Sequence, residues 1–299
     1  MCDCLSALGS VTSNSLKHMI VSFHPIFEGQ KNIICAGRDP GPDDLRTVKN
    51  AAAVILPQGC RRSLYELAQN NCKHVFPNYS ARFEYPGKLG QIRLFRRTGV
   101  AHPISEIYET VGSLISQCDE THEIVPFPFP FVFKFDWGGE GDTVFWIQST
   151  NAFKDILVKA ATFEKSGQKG FLIQEYIPNL NRSLRVVIIG QQFFTYWRIQ
   201  NDVHVFHDNV SKGAIIDTDA DPHLQQLGVE LVKYFCEKTK INLAGFDVIF
   251  STQCEEVTPM LLEINYFFGR SGLGGSQVYY EILQKEILNW LHRLDLPKP

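Results

Sequence analysis

The run TPMLLEINYFFGRSG, residues 258–272, sets Glu263 and Asn265 among residues that read as a buried strand. Successive strand side chains alternate between faces, so Leu261, Glu263 and Asn265 are expected on one face and Leu262, Ile264 and Tyr266 on the other. An ionised carboxylate withdrawn from water costs at least several kcal/mol unless a positive group sits beside it. Upstream, LAGFDVIF puts Asp247 in a second apolar strand, and the intervening STQCEEVTP is polar enough for a loop. An antiparallel hairpin centred near Glu255 would set Asp247 across from Glu263. Two carboxylates and an amide oxygen are hard ligands of the kind Mg²⁺ takes, with water and phosphate oxygens completing its shell. The same spacing also suits buried polar groups satisfied by backbone donors or a basic side chain.

Three further stretches carry chemistry. In FVFKFDWGGEGDTVFWI, Lys134 interrupts an apolar strand, and Gly138, Gly139 and Gly141 precede the next one. Glycines let a backbone turn its N–H groups toward an anion, and the lysine adds a point charge; a plain hairpin with a snorkelling lysine has the same sequence. FLIQEYIPN brings Gln174, Glu175, Tyr176 and Ile177 to a strand end before Pro178. Its unpaired backbone groups could read a purine edge between apolar walls, or simply leave the sheet. Arg185 and Lys212 close strand-like runs in NRSLRVVIIG and HDNVSKGAII, where each suits a phosphate, a substrate carboxylate or solvent. His204 and His207 have H-x-x-H spacing, but on a strand they face opposite ways, which argues against zinc.

The elements that must position these groups change character along the chain. MIVSFHPIF, KNIICAG, AAAVILPQG and KHVFPNY read as short strands, alternating with the helical stretches PDDLRTVKNA and RRSLYELAQNN. That alternation predicts a parallel α/β sheet for roughly residues 18–80, without a G-x-G-x-x-G dinucleotide turn. YPGKLGQIRLFRRTGV reads as a helix stopped by Gly99. From FVFKFDW onward, longer strands with hairpin-like returns interleave with three helices, so the class is α+β with an α/β beginning. At 299 residues the chain exceeds one minimal core. The expected division is a flexible tail 1–17, an α/β domain 18–98, a small lobe 99–175 and a C-terminal lobe 176–299. A net charge of −3 offers no global attraction to nucleic acid or anionic membrane, and neither partner is expected. No apolar segment reaches the ~18 residues of a membrane helix. The start lacks the pattern of an export signal, so the eight cysteines, Cys2 and Cys4 included, are expected as reduced thiols in a cytoplasmic protein.

Taken in order, these pieces resemble the ATP-grasp superfamily, in the style of its RimK-like and D-alanine–D-alanine-ligase-like branches. The resemblance runs from about residue 75 to 275. It implies a Rossmann-like α/β domain followed by two α+β lobes that enclose the nucleotide. Lys88 and Lys134 resemble the two ATP-phosphate lysines, and GGEGD the loop that closes over the phosphates. Glu175 and Ile177 resemble the adenine contacts, flanked by Gln174 and Tyr176. Asp247, Glu263 and Asn265 match the magnesium triad. The chain has Ser183-Leu184-Arg185 where the glutamate-ligase branch has D-x-R, His207-Asp208-Asn209 where it has R-x-N, and YFFGRSGLGGS where S-P-G is common. Ser183 stands at a nucleotide-contact position, and Arg185, Lys212 and Arg270 are candidates for contacts to substrate or phosphate. The implied activity is a carboxylate–amine ligase that uses ATP and Mg²⁺, for which Mn²⁺ can substitute. Its partners would be a small carboxylate and an amine, either a small molecule or a peptide, and a homodimer stays open. A hydroxyl kinase on this scaffold and a nucleotide-binding sensor or assembly protein without turnover are the alternatives.

Overall fold

The structure, a computed structural model, describes residues 19–117, 126–139, 141–179, 181–200, 213–251 and 257–299. The 1–17 tail with Cys2 and Cys4, Glu140, the segment holding His204, His207, Asp208, Asn209 and Lys212, and the hairpin apex at Glu255 lie outside the described residues.

Four short strands come first: β1 (Ile20–Ser22), β2 (Lys31–Asn32), β3 (Ala53–Ile55) and β4 (Val75–Phe76). They form a parallel sheet in the order β2-β1-β3-β4. β1 and β3 are buried at every residue, as a parallel sheet covered on both faces requires. The crossover helices α1 (Pro42–Lys49) and α2 (Arg62–Asn71) pack on one face through Val48, Leu64, Tyr65 and Ala68 against Val21 and Val54. α1 begins with proline and two aspartates and ends on Arg46 and Lys49, which suits its dipole. After α3 (Ser80–Glu84), α4 (Gly87–Thr98) ends on Gly99 in the left-handed region at φ 68°, the stop expected there.

The second sheet holds β5 (Ser105–Tyr108), β6 (Phe131–Phe135), β7 (Val144–Ile147) and β8 (Phe171–Glu175), antiparallel in the order β5-β8-β6-β7. Helices α5 (Val111–Ser116) and α6 (Thr150–Lys165) cover it over an aromatic core of Phe131, Phe133, Phe135, Phe153 and Phe171. β5 is invisible in the sequence because SEIY has no apolar run. Its backbone pairing with β8 makes it a strand.

The third sheet is antiparallel, with β9 (Arg182–Ile189), β10 (Gln192–Ile199), β11 (Ile215–Asp217), β12 (Leu243–Ser251) and β13 (Thr258–Asn265) in the order β11-β10-β9-β12-β13. α7 (Pro222–Thr239) and α4 cover one face, where Leu184, Val186, Trp197, Phe246 and Val248 meet Val232, Phe235 and Phe95. The other face changes along its length. At one end Val187, Ile189 and Leu243 pack on α8 (Ser276–Arg293), which is shared with Ile20 and Ile55 of the first sheet. At the other end the same face carries Arg185 paired with Asp247 in register. Apolar packing thus gives way to charge on one continuous surface.

The β12–β13 hairpin pairs Asp247 with Glu263 and Gly245 with Asn265. One part of the expected facing is corrected. The register slips between Asp247 and Val248, so that Val248 faces Leu261 and Leu262 is the extra residue of a bulge. Leu261, expected beside Glu263, is instead fully buried with Ile264 against α7 and α4, while Leu262 lines the same cleft as Glu263. Strict alternation cannot foresee this, because a bulge inverts parity on one side only. Among the described residues, no helix is long and apolar enough to cross a membrane.

Candidate active site

The second and third sheets face each other across a cleft, and the hinge residues Tyr176, Ile177, Asn179 and Asn181 line one wall. From the small lobe come Lys134 of β6, Val144 of β7, Gln174 and Glu175 of β8, and the loop glycines Gly139 and Gly141. From the large lobe come Arg185, Arg198, Asp247, Leu262, Glu263 and Asn265. Tyr176 and Ile177 line the hinge side, and Lys88 enters from α4. Lys88, Lys134 and the trio Asp247, Glu263 and Asn265 therefore share one cavity.

The third sheet builds the floor of this cleft. Asp247 is 6% exposed and accepts from Arg185 Nε at 2.6 Å; Arg198 Nη2 lies 3.1 Å from the same oxygen. Burial pushes the Asp247 carboxyl up, but the Arg185 and Arg198 guanidinium groups outweigh it and hold the carboxyl below the usual aspartate range. Asn265 Nδ2 donates to Asp247 Oδ2 at 3.1 Å, which turns the amide oxygen of Asn265 away from that carboxylate. Glu263 is half-buried and has no hydrogen-bond or ion-pair partner among the described residues. A half-buried carboxylate without such a partner is a hard-oxygen donor of the kind a divalent cation accepts. With Asp247 and Asn265 beside it, the hard-oxygen chemistry fits Mg²⁺.

The opposite wall depends on α4 and the β6–β7 loop. Lys88 is 9% exposed, and its Nζ donates to the carbonyls of Trp137 at 3.5 Å and Gly138 at 3.3 Å. Asp136, just after β6, accepts from Leu89 N at 2.8 Å and so caps an α4 whose own N-cap, Pro86, offers no side chain. Lys88, Lys134 and the glycine loop are thereby tied to one another. Gly87 makes this junction possible: its φ is +71°, and a Cβ there would sit 2.4 Å from Asp136 Oδ1. Gly87→Ala is expected to lower stability by about 1–3 kcal/mol, read as a drop in the thermal midpoint; a neutral result would mean that α4 is not fixed by this contact.

Gln174 is 2% exposed and donates from Nε2 to Ser105 Oγ at 2.8 Å. Glu175 Oε1 accepts from Ile104 N at 2.6 Å, so the carboxylate is pinned at the hinge by the edge strand. Tyr176 packs at 5.7 Å from Trp146. Gly138 does not line the cleft itself; its backbone holds Lys88. Ser183 is fully buried and lies behind the cleft, where its hydroxyl meets Arg198 Nη2 at 2.7 Å. Arg270 lies outside the cleft, in a separate cavity beside Gln58. Lys212 lies outside the described residues.

Sequence reasoning passed over Arg198, Asn179, Asn181 and Asp136. Arg198 carried the signal used for Lys134: a cation inside the apolar strand run FFTYWRI. Asn179 and Asn181 line the cleft as hinge residues, with no distinguishing type or spacing.

Residues 87–291 match the family described as the RimK-like ATP-grasp domain. The chain belongs to that family. The ATP-grasp fold is also found by comparison with solved structures. An ATP-grasp RimK domain protein of Sphaerobacter thermophilus has a TM-score of 0.57 and 15% identity, over 79% of this chain and 81% of that one. D-alanine–D-alanine ligase of Bacillus anthracis has a TM-score of 0.56 and 14% identity, over 88% and 86% of the two chains. Carboxyaminoimidazole ribonucleotide synthase of Aspergillus clavatus, solved in complex with ATP, has a TM-score of 0.54 and 16% identity, over 87% of this chain and 64% of that one. Identities this low carry the fold alone. No curated protein matches the chain. In ATP-grasp terms, the cleft between the second and third sheets is the space between the two lobes.

Proposed function

We propose that this ATP-grasp protein is a carboxylate–amine ligase that joins an acid to an amine at the cost of ATP, releasing ADP and phosphate. The observation that carries the reading is the meeting of Asp247, Glu263 and Asn265 with Lys88 and Lys134 in one cleft. Anionic oxygens on one wall and ammonium groups on the other suit a polyphosphate bridged to a divalent cation, and neither wall alone does.

In the first step a substrate carboxylate oxygen forms a bond to the γ-phosphorus as the bond to the bridging oxygen of ADP breaks. An acyl phosphate results. An amine nitrogen then attacks the acyl carbon, phosphate leaves with its electron pair, and the nitrogen loses a proton to give the amide. The chain's task is mostly positioning and charge neutralisation. Lys88 and Lys134 would neutralise phosphate oxygens. Arg185, which gives Nε to Asp247, has further N–H donors for the transferring phosphoryl group or the developing oxyanion. Glu175, Tyr176 and Ile177 would receive the adenine at the hinge. Asp247, Glu263 and Asn265 would hold Mg²⁺ or Mn²⁺, which when bound supplies positive charge to the phosphate oxygens. The glycine loop would cover the phosphates and keep water from the acyl phosphate.

The test is ADP release with Mg²⁺ and a panel of carboxylic acids, amino acids and small peptides, with hydroxylamine as trapping amine. A ligase is expected to give a hydroxamate in step with ADP. A kinase acting on a hydroxyl gives ADP without hydroxamate, and that outcome would replace this reading.

A further inference from the structure

α4 carries Lys88 and, a turn later on the same face, Gln91. A recess at the back of the cleft brings Gln91 together with Lys88, Lys134, Leu262 and Glu263. The glutamine is half-buried, and both ends of its amide are engaged. Oε1 accepts from Ile264 N at 2.8 Å, and Nε2 donates to the Ile264 carbonyl at 2.9 Å. Ile264 is the residue between Glu263 and Asn265.

This contact falls where β13 is weakest. β13 is the outer strand of the third sheet, so a row of its peptide groups faces away from β12 with no further strand to meet them. On the inner side the ladder to β12 is interrupted beside Glu263, where the register slips and Leu262 bulges. The pairing that would otherwise set the direction of the Glu263 side chain is therefore loosened. A primary amide carries the same N–H and C=O pair as a peptide group, so Gln91 stands in for a neighbouring strand at Ile264. The Ala101 carbonyl does the same before the bulge, accepting from Leu261 N at 2.8 Å. The outer edge is thus closed on both sides of Leu262.

α4 is a firm anchor for this purpose. Leu89, Ile92 and Phe95 are buried in the core it shares with the third sheet, and Asp136 caps its first turn through Leu89 N. Lys88 keeps its place through contacts that do not involve Gln91. Gln91 carries that fixed position across to β13, where the two bonds to Ile264 hold the strand from outside.

We propose that Gln91 is a positioning residue for the cation site. It holds the 263–265 segment so that Glu263 and Asn265 stay aimed into the cleft at a set distance from Lys88. The inference takes from the ligase reading only the assignment of Glu263 and Asn265 to a divalent cation bound with ATP; it does not depend on turnover.

The test measures ATP binding to the full-length chain by calorimetry, in EDTA and in Mg²⁺, well below the melting midpoint of each protein. The readout is the factor by which Mg²⁺ tightens binding. Gln91→Met is close in volume but cannot hydrogen-bond Ile264. It is expected to cut that factor by about ten-fold or more, the scale on which supports of metal ligands act, while affinity in EDTA stays within about three-fold. A merely structural role would lower the midpoint and leave the factor unchanged. Gln91→Asn covers the case in which Gln91→Met does not fold. It keeps the amide but is a methylene too short to meet both groups of Ile264, and a loss in the same direction is expected. The proposal is overturned if Mg²⁺ does not tighten ATP binding to the unaltered chain, or if the factor is kept in either variant. ADP release by the unaltered chain, measured separately, tests the ligase reading. A chain that binds ATP through Mg²⁺ without turnover would end that reading and leave the role of Gln91 standing.

Discussion

Glu263→Gln is expected to lower ATP turnover by at least about 100-fold, the scale of losing one electrostatic group at a phosphoryl-transfer site. The thermal midpoint should stay within about 2 °C, because the change keeps shape and hydrogen-bonding capacity and breaks no native contact. That separation follows from the surroundings of the residue. Glu263 has no ion-pair or hydrogen-bond partner among the described residues, so its charge does nothing for folding that the amide would undo. ADP release and a calorimetric melt on the same preparation check both halves. Stabilisation by ATP in the presence of Mg²⁺ should shrink in parallel, since the carboxamide leaves a cation one negative charge poorer. Full turnover in this variant would remove Glu263 from the chemistry and with it the reason for reading the hairpin as a cation site.

Much of that site could be read from the chain because it depends on interruptions. A charge inside an apolar strand run is costly, so Lys134, Asp247 and Glu263 announce themselves by type and context alone. The hairpin register followed from a polar loop between two apolar runs, and Asp247 does face Glu263. The helix over residues 87–98 was legible for a similar reason, a glycine stop after a periodic stretch. What could not be read depends on neighbours distant in sequence. The bulge at Leu262 reverses the facing of Leu261, and no local pattern signals it. β5 is a strand through its pairing with β8, and Asp136 is informative only once α4 comes to rest against the end of β6. Arg198 was legible in principle but lacked a second mark such as the glycines that follow Lys134. Arg270 is expected at a substrate or phosphate contact because YFFGRSGLGGS stands where the resembled family commonly has S-P-G. Its place in a different cavity follows from the turn after β13, which carries the chain back toward the first sheet.

Asp247→Ala is expected to behave in the opposite way to Glu263→Gln, with a large loss of stability as well as of activity. Arg185 and Arg198 are 7% and 5% exposed, and Asp247 is the carboxylate that both of them meet. Removing it leaves two guanidinium groups side by side out of water, which costs about 3–5 kcal/mol and corresponds to a fall in midpoint on the order of 10 °C. The dependence on pH identifies the cause. The folded carboxyl titrates below its ordinary value of 3.8, because the two arginines outweigh the effect of burial. A depressed value means that the unfolded chain takes up the proton first, so the stabilisation is complete above about pH 5 and declines as pH falls through 3.8 toward the folded value. Unaltered and Asp247→Ala proteins should therefore differ by a constant amount between pH 7 and 5 and converge in stronger acid, when melts are compared across that range. A gap that closed above pH 5 would assign the stabilisation to another group. The same arginines keep Asp247 ionised and oriented, so the first of the two carboxylates proposed for a cation is fixed by the fold, whereas Glu263 has no such partner among the described residues.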